Sequence, residues 1–381
     1  MSATGARTVT GAVTTTVACV VPVFLVGGLA VQIGAELGFS PAGLGLAVSV
    51  YFGCSALASV PAGRLVERYG ATVTARAGIA LAGGCLVAIA FWARTFPLLV
   101  VLLAASAAAN ALGQLASNAA LSRLPPRRQG LSFGLKQAAI PMATLLAGVS
   151  VPALALTLGW RWAFGLAGLA AGGALLLVPP DGHAGRREVG RVGTGRSTAA
   201  LVVVGLGAAL ASGAAGSLGA FLVDATVAGG LAPGTAGWVL TFGSTVCVAG
   251  RIAGGWLADR RSGGHLAAIA MLLATGAIGL GLLSLPGTAA LLAGVVLAFG
   301  LGWSWPGLVN FAVVRLHPAT PAAATSITQT GVYAGACLGP LGFGALAAGA
   351  GYPAAWRASA AAMLLATAMI LLGRTLVRRS R

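Results

Sequence analysis

The sequence predicts an all-α integral membrane protein, with twelve transmembrane helices arranged as two six-helix bundles. Three observations predict it: the composition, the number of apolar runs, and an internal duplication. Of 381 residues, 58% are hydrophobic and only 8% charged, with a mean hydropathy of +0.94. Soluble proteins run near 25% charged, so this chain cannot cover a water-facing surface.

A bilayer core takes roughly 20 apolar residues of helix. On that ruler the spans fall at about 11–33, 42–62, 72–92, 96–120, 131–157, 161–179, 198–223, 234–257, 264–285, 287–314, 321–348 and 353–374. In isolation the first run, with Arg7 before it and small residues near Gly28–Ala30, reads as a cleaved secretory signal. Its repeat partner at 198–223 makes it a retained span. The loops are short, so no soluble domain fits. The polar stretch Pro179–Ser197 carries Asp181, Glu188 and four arginines. It divides the chain into an N-terminal bundle (1–179), a cytoplasmic linker (180–197) and a C-terminal bundle (198–381).

The net charge of +17 is a matter of topology. With both termini cytoplasmic, Arg7, Arg64/Arg68/Arg76, Arg123/Arg127/Arg128, Arg186/Arg187/Arg191/Arg196, Arg251/Arg260/Arg261, Arg315 and Arg374/Arg378/Arg379/Arg381 share one side, and Lys136 lies near it. Only Arg94, Arg161 and Arg357 remain outside. This asymmetry fixes the orientation in a cytoplasmic membrane. Anionic inner-leaflet lipid then accounts for the basic excess without a nucleic-acid partner.

Scarce residues exclude several chemistries. Lys136 is the only lysine and follows Leu135, so no phosphate-cradling GK loop exists. His183, His265 and His317 are far apart, and the five cysteines sit in apolar runs without a C-x-x-C pair. Neither a metal site, a cofactor nor an enzyme is expected. An intramembrane enzyme lacks any acid, base and metal constellation of usable spacing.

Adding 192 to a first-half position finds matching chemistry in the second: Glu67/Asp259, Arg68/Arg260, Asn118/Asn310, Arg123/Arg315, Gln137/Gln329, Pro41/Pro233, Pro126/Pro318 and Trp160/Tyr352. The asparagines carry weight, because the chain has three and two of them pair. An even number of spans separates the halves, so both copies have the same orientation, related by an axis along the membrane normal. Two facing bundles imply a site at their junction.

Gly63-Arg64-Leu65-Val66-Glu67-Arg68-Tyr69-Gly70 after the second span resembles the G-x-x-x-D-R/K-x-G-R/K-R/K signature of the major facilitator superfamily, and Gly255-Trp256-Leu257-Ala258-Asp259-Arg260 repeats it after the eighth. The first copy has Glu67 for Asp and lacks the closing basic pair; the second has Ser262 in place of the later glycine. The resemblance implies two bundles that rock about a central site. An acid there can face the partly positive start of a helix in the other half. Asp259 would face the fifth span near Gly130, and Glu67 the eleventh near Thr320. Loop anchoring at the lipid surface is the plainer reading.

Polar residues inside the spans nominate the cavity. Lys136 lies about six residues, or 9 Å, into the fifth span, on the unfavourable end of the helix dipole, and its mate is the neutral Thr328. With Gln137 it either attracts an anionic substrate or a coupling proton, or snorkels to the headgroups. Gly134-Leu135-Lys136-Gln137-Ala138-Ala139-Ile140-Pro141 resembles a G-x-K-Q-x-x-x-P stretch of cyanate- and nitroimidazole-transporter-like members, which implies small, often anionic cargo. Thr328, Gln329 and, one turn on, Tyr333 form the opposite wall. Asn110, Gln114 and Asn118 make one stripe on the fourth span, facing either the cavity or neighbouring helices. Asn310, Trp303 and Trp305 come from the tenth. Gln32 and its mate Asp224 end the first and seventh spans, as gates or wetted helix ends. Asp224, Lys136 and Glu36 are the candidate proton-coupling groups. Gly331, Gly335 and Gly339 recur at steps of four opposite small mates, a close-packing face.

The expected function is secondary active transport of a small organic, possibly anionic solute by a monomer in a lipid bilayer, coupled to protons. Efflux of an amphipathic drug or secondary metabolite is the alternative within transport, although the fourth span has no arginine before Arg123. A sensor that retains the fold is the alternative outside it.

Overall fold

The computed structural model describes residues 3–122, 124, 129–179, 196–261, 263–316 and 321–379. Every regular element among them is helical. Backbone polar groups in a bilayer must be satisfied within the segment, and a helix does this at every position.

Helix α1 (Ala3–Gly28) crosses first, and the short α2 (Ala30–Leu37) continues it to a left-handed cap at Gly38. Helix α3 (Pro41–Trp92) starts on the Ser40 hydroxyl, which accepts from the Gly43 N–H, and on Pro41 in its first turn. Its 52 residues would span about 78 Å as one rod, far beyond a hydrocarbon core of about 30 Å. Gly70, at φ 83° and ψ 166°, breaks it into the second and third crossings. Only a residue without Cβ takes that conformation readily.

Helix α4 (Phe96–Leu121) begins at a Thr95 cap. Helix α5 (Gln129–Ser150) runs into a π turn at Val151–Ala155, and α6 (Trp160–Ala174) follows Gly159. The second half repeats the plan with α7 (Arg196–Ala228), α8 (Pro233–Arg260) and α9 (His265–Leu283). The tenth crossing is broken: α10 (Thr288–Val295), a π segment Val296–Gly302, then α11 (Pro306–Leu316). Helices α12 (Pro321–Ala350) and α13 (Tyr352–Arg379) complete it. Among the described residues, eleven helical stretches are long and apolar enough to cross a membrane. With α3 counted twice at its Gly70 break they make twelve crossings. The expected linker at 180–197, apart from the first turn of α7, lies outside the described residues.

Helices α1 and α3–α6 pack on one another, as do α7–α13, and the groups meet where α5 lies on α8, α12 on α3, and α1 on α7. Small residues bring these backbones together. A Cβ on Gly134 would come within 3.1 Å of the Gly255 Cα, and one on Gly148 within 2.8 Å of the Gly237 carbonyl oxygen. Within the second bundle, a Cβ on Gly335 would strike the Ala209 carbonyl and one on Gly339 the Gly213 backbone. Lipid offers no hydrophobic drive to helix association, so this close approach supplies it through dispersion.

Gly335→Ala is therefore expected to destabilise the detergent-solubilised protein by about 1–3 kcal/mol through overpacking. Gly342→Ala, whose Cβ would meet nothing within 4 Å, should leave it unchanged or raise stability by up to about 1 kcal/mol from helix propensity. Thermal unfolding of the two variants checks this; equal shifts would contradict it.

Candidate functional site

The seam between α5 and α8 holds the polar cluster. Asp259, in the last turn of α8, accepts from the Gly130 N–H (2.8 Å) and the Leu131 N–H (2.9 Å) at the start of α5. Those amides are helix-terminal donors without intrahelical acceptors, and a carboxylate there also meets the positive end of the dipole. Gly130 and Gly255 leave room for the contact, since a Cβ on Gly130 would sit 2.7 Å from the Asp259 carboxylate. Arg260 stacks on Trp256, its guanidinium carbon 3.6 Å from the ring centre.

Two turns further in, Lys136 is 1% exposed and donates to the Gln114 Oε1 of α4. Its ammonium is held inside the protein and does not reach the headgroups. Gln137 is buried beside it, and its carbonyl oxygen accepts from Arg251 Nη1. The Arg251 Nε donates to the Trp303 carbonyl oxygen at 3.0 Å, and its guanidinium carbon lies 5.3 Å from the Trp303 ring centre.

Arg251 corrects the charge count made from sequence. Grouped there with the cytoplasmic arginines, it is 2% exposed and sits nine residues inside α8 from Arg260, about 13 Å along the axis. The signal available was a lone arginine in an apolar run, which positive-inside counting assigns to the nearest basic loop. Lys136 and Arg251 thus lie buried together, and each ion taken out of water costs on the order of several kcal/mol unless compensated. Among the described residues no carboxylate pairs with either.

The other nominated residues fall into three places. Trp303 packs edge-on to Phe24 of α1, with ring centres 6.1 Å apart, and so bridges the bundles, while Trp305 is buried at 1% exposure. On α12, Gln329 and Tyr333 are half-buried, and buried Thr328 donates to the Thr325 carbonyl of its own helix. Of the α4 stripe, Asn110 donates to the Ser55 hydroxyl at 3.1 Å, Gln114 holds Lys136, and Asn118 is half-buried with its Oδ1 unpartnered among the described residues. Asn310 is half-buried on α11.

The remaining acids are elsewhere. Glu36 accepts from Arg161 and from the Trp160 indole (2.7 Å) where α2 meets the start of α6. Partial burial pulls its pKa up, but the hydrogen bonds from Arg161 and Trp160 and the charges of Arg161 and Arg94 outweigh that and leave it below the usual glutamate value. Asp224 accepts from the Tyr352 hydroxyl. Gln32, the mate of Asp224, has its amide buried without a partner among the described residues. Glu67 and Arg68 are exposed and Gly63 half-buried; the contact expected of Glu67 near Thr320 falls outside the described residues.

Asp259→Asn keeps the shape but removes the charge on the α5 amides. It is expected to weaken the contact between α5 and α8 and to raise thiol labelling of a cysteine placed at buried Ser132; unchanged labelling would contradict that role for Asp259.

A model of the Major Facilitator Superfamily matches residues 11–204. No curated protein gives a significant match. Among solved structures, the chain is similar to a bacterial homolog of the human lysosomal transporter Spinster. In its inward-facing, occupied conformation the TM-score is 0.75 at 16% identity, covering 98% of this chain and 97% of that one. In the inward-facing, unoccupied conformation it is 0.76 at 15% identity, covering 100% and 99%.

Proposed function

Because the chain belongs to the Major Facilitator Superfamily of membrane transporters, we propose that it is a secondary active transporter that carries a small organic anion across the cytoplasmic membrane, coupled to protons. In this reading both termini are cytoplasmic and the two bundles rock about the α5/α8 and α3/α12 seams. One observation carries the substrate charge: Lys136 is buried at the junction on a side-chain amide, with Arg251 nearby and, among the described residues, no acid to neutralise either. Such a site attracts an anion and repels cations. An intramembrane ionisable residue facing the bundle interior is by default on the substrate path.

The motion has a physical basis in the Asp259 contact. Its two hydrogen bonds exist only while the cytoplasmic ends of α5 and α8 are together, so they bias a two-state equilibrium that cargo shifts by binding one state better. Of the three coupling candidates, Glu36 is committed to Arg161 and Trp160, which leaves Lys136 and Asp224. Asp224 shares its proton-accepting face with Tyr352, away from the Lys136 cluster.

Lys136→Ala should cut transport of an anionic solute by roughly tenfold or more while the protein stays folded, because the repeat mate Thr328 fills the matching position without charge. Uptake into proteoliposomes with an imposed pH gradient measures it. Unaltered flux in the variant would remove Lys136 from the path, and flux of no solute with wild-type protein would favour a sensor.

A further inference from the structure

The 192-residue register sets Arg251 against Ser59 and Lys136 against Thr328. The structure puts these mates on two different seams. On the α5/α8 seam lie two buried cations, Lys136 on Gln114 and Arg251 on the Gln137 and Trp303 carbonyls. On the α3/α12 seam the matching positions are Ser59 on α3 and Thr328 on α12, where Thr328 is buried and Gln329 and Tyr333 of the same helix are half-buried. The same architecture is built once with two charges and once with hydroxyls and an amide. Packing alone does not demand the charges.

We propose that the two seams hold opposite ends of one solute: a carboxylate on Arg251 and Lys136, and an uncharged hydrogen-bonding end on Ser59, Thr328, Gln329 and Tyr333. This rests on the transporter reading above and assigns Arg251 as an anion-ligating residue. The guanidinium spends Nε and Nη1 on backbone carbonyls, which fix its plane, and leaves Nη2 buried with no partner among the described residues. Lys136 spends one of its three donors on Gln114. The remaining N–H groups are those that bind the oxygens of a carboxylate by charge-assisted hydrogen bonds. A protein acid here would cancel the pair internally, but of the four acids among the described residues Glu36 is on Arg161, Asp224 on Tyr352, Asp259 on the start of α5, and Glu67 is exposed. The substrate class is then a small organic acid with a hydroxyl or carbonyl at its far end.

The test is thermal unfolding of the purified full chain titrated with 3-hydroxypropionate and gluconate, with their uncharged counterparts 3-hydroxypropionamide and glucose, and with propionate, which keeps the carboxylate but lacks the hydroxyl. At least one hydroxy acid should raise the unfolding temperature, and its uncharged counterpart should not. Arg251→Lys, which keeps the charge but not the planar fork, should need about tenfold more acid for the same shift. Ser59→Ala should weaken the hydroxy acid and leave any propionate response unchanged. Stabilisation by the amide or sugar equal to that by the acid, no response to any carboxylate, or an unchanged response in Arg251→Lys would overturn the assignment. Equal weakening of both acids by Ser59→Ala would overturn the two-ended arrangement. Flux assays on the same preparations separate the layers: binding without flux leaves the site and removes the transporter reading, whereas flux of neutral solutes without carboxylate binding does the reverse.

Discussion

Two positive charges buried side by side, on helices belonging to different halves of the molecule, set the terms for the rest of this structure. Lys136 and Arg251 are each almost wholly out of solvent. Burial is tolerated only with hydrogen bonds to the charged groups, and the protein supplies those from three elements: the Gln114 amide of α4, the Gln137 carbonyl of α5, and the Trp303 carbonyl beyond the π segment of the tenth crossing. The break in that crossing is what frees the Trp303 carbonyl. A regular helix would have turned it toward the N–H four residues on. The glycine contacts between α5 and α8 set the distance at which Arg251 of one bundle reaches Gln137 of the other. Site, seam and helix break are therefore one arrangement.

The bundle ends opposite Asp259 show what the duplication keeps in kind if not in detail. Trp160 at the start of α6 donates to Glu36 beyond α1, and its mate Tyr352 at the start of α13 donates to Asp224 near the end of α7. Each pair ties the last helix of a bundle to its first. These ties are internal to a bundle and can persist while the bundles move against each other. The contact of Asp259 with α5 crosses between bundles, so a rocking motion would have to break it. Rigid lobes with a breakable join are what rocking requires.

The spans were legible because apolar runs near the bilayer length stand out from short polar loops, and the two-bundle plan because rare residues such as Asn118 and Asn310 recur in register. The start of α5 opposite Asp259 was legible for the same reason: an acid at one helix end and a free helix start at another are both visible in one dimension. Lys136 was half legible. Its position in the span marked it, but whether it turned inward or snorkelled depended on the rotation of α5, which the approach of Gly134 to Gly255 fixes. Arg251 was hidden by its neighbours, Arg260 and Arg261, which drew it into the cytoplasmic count. The interruption before Pro306 left a trace, since the residue before a proline is pushed out of the helical region, but a π segment of apolar residues has no pattern of its own.

The central claim is that the seam opens and closes, with the lobes moving as units. Spin labels on Arg64, close to the Gly70 break of α3, and on Leu257 near the end of α8, both exposed, report the gap directly by pulsed distance measurement in lipid nanodiscs. The account predicts two distance populations across the seam whose ratio shifts with bound solute, alongside a single unshifted distance for a label pair within one bundle. A single population across the seam, the same with and without solute and at every pH tried, would contradict it.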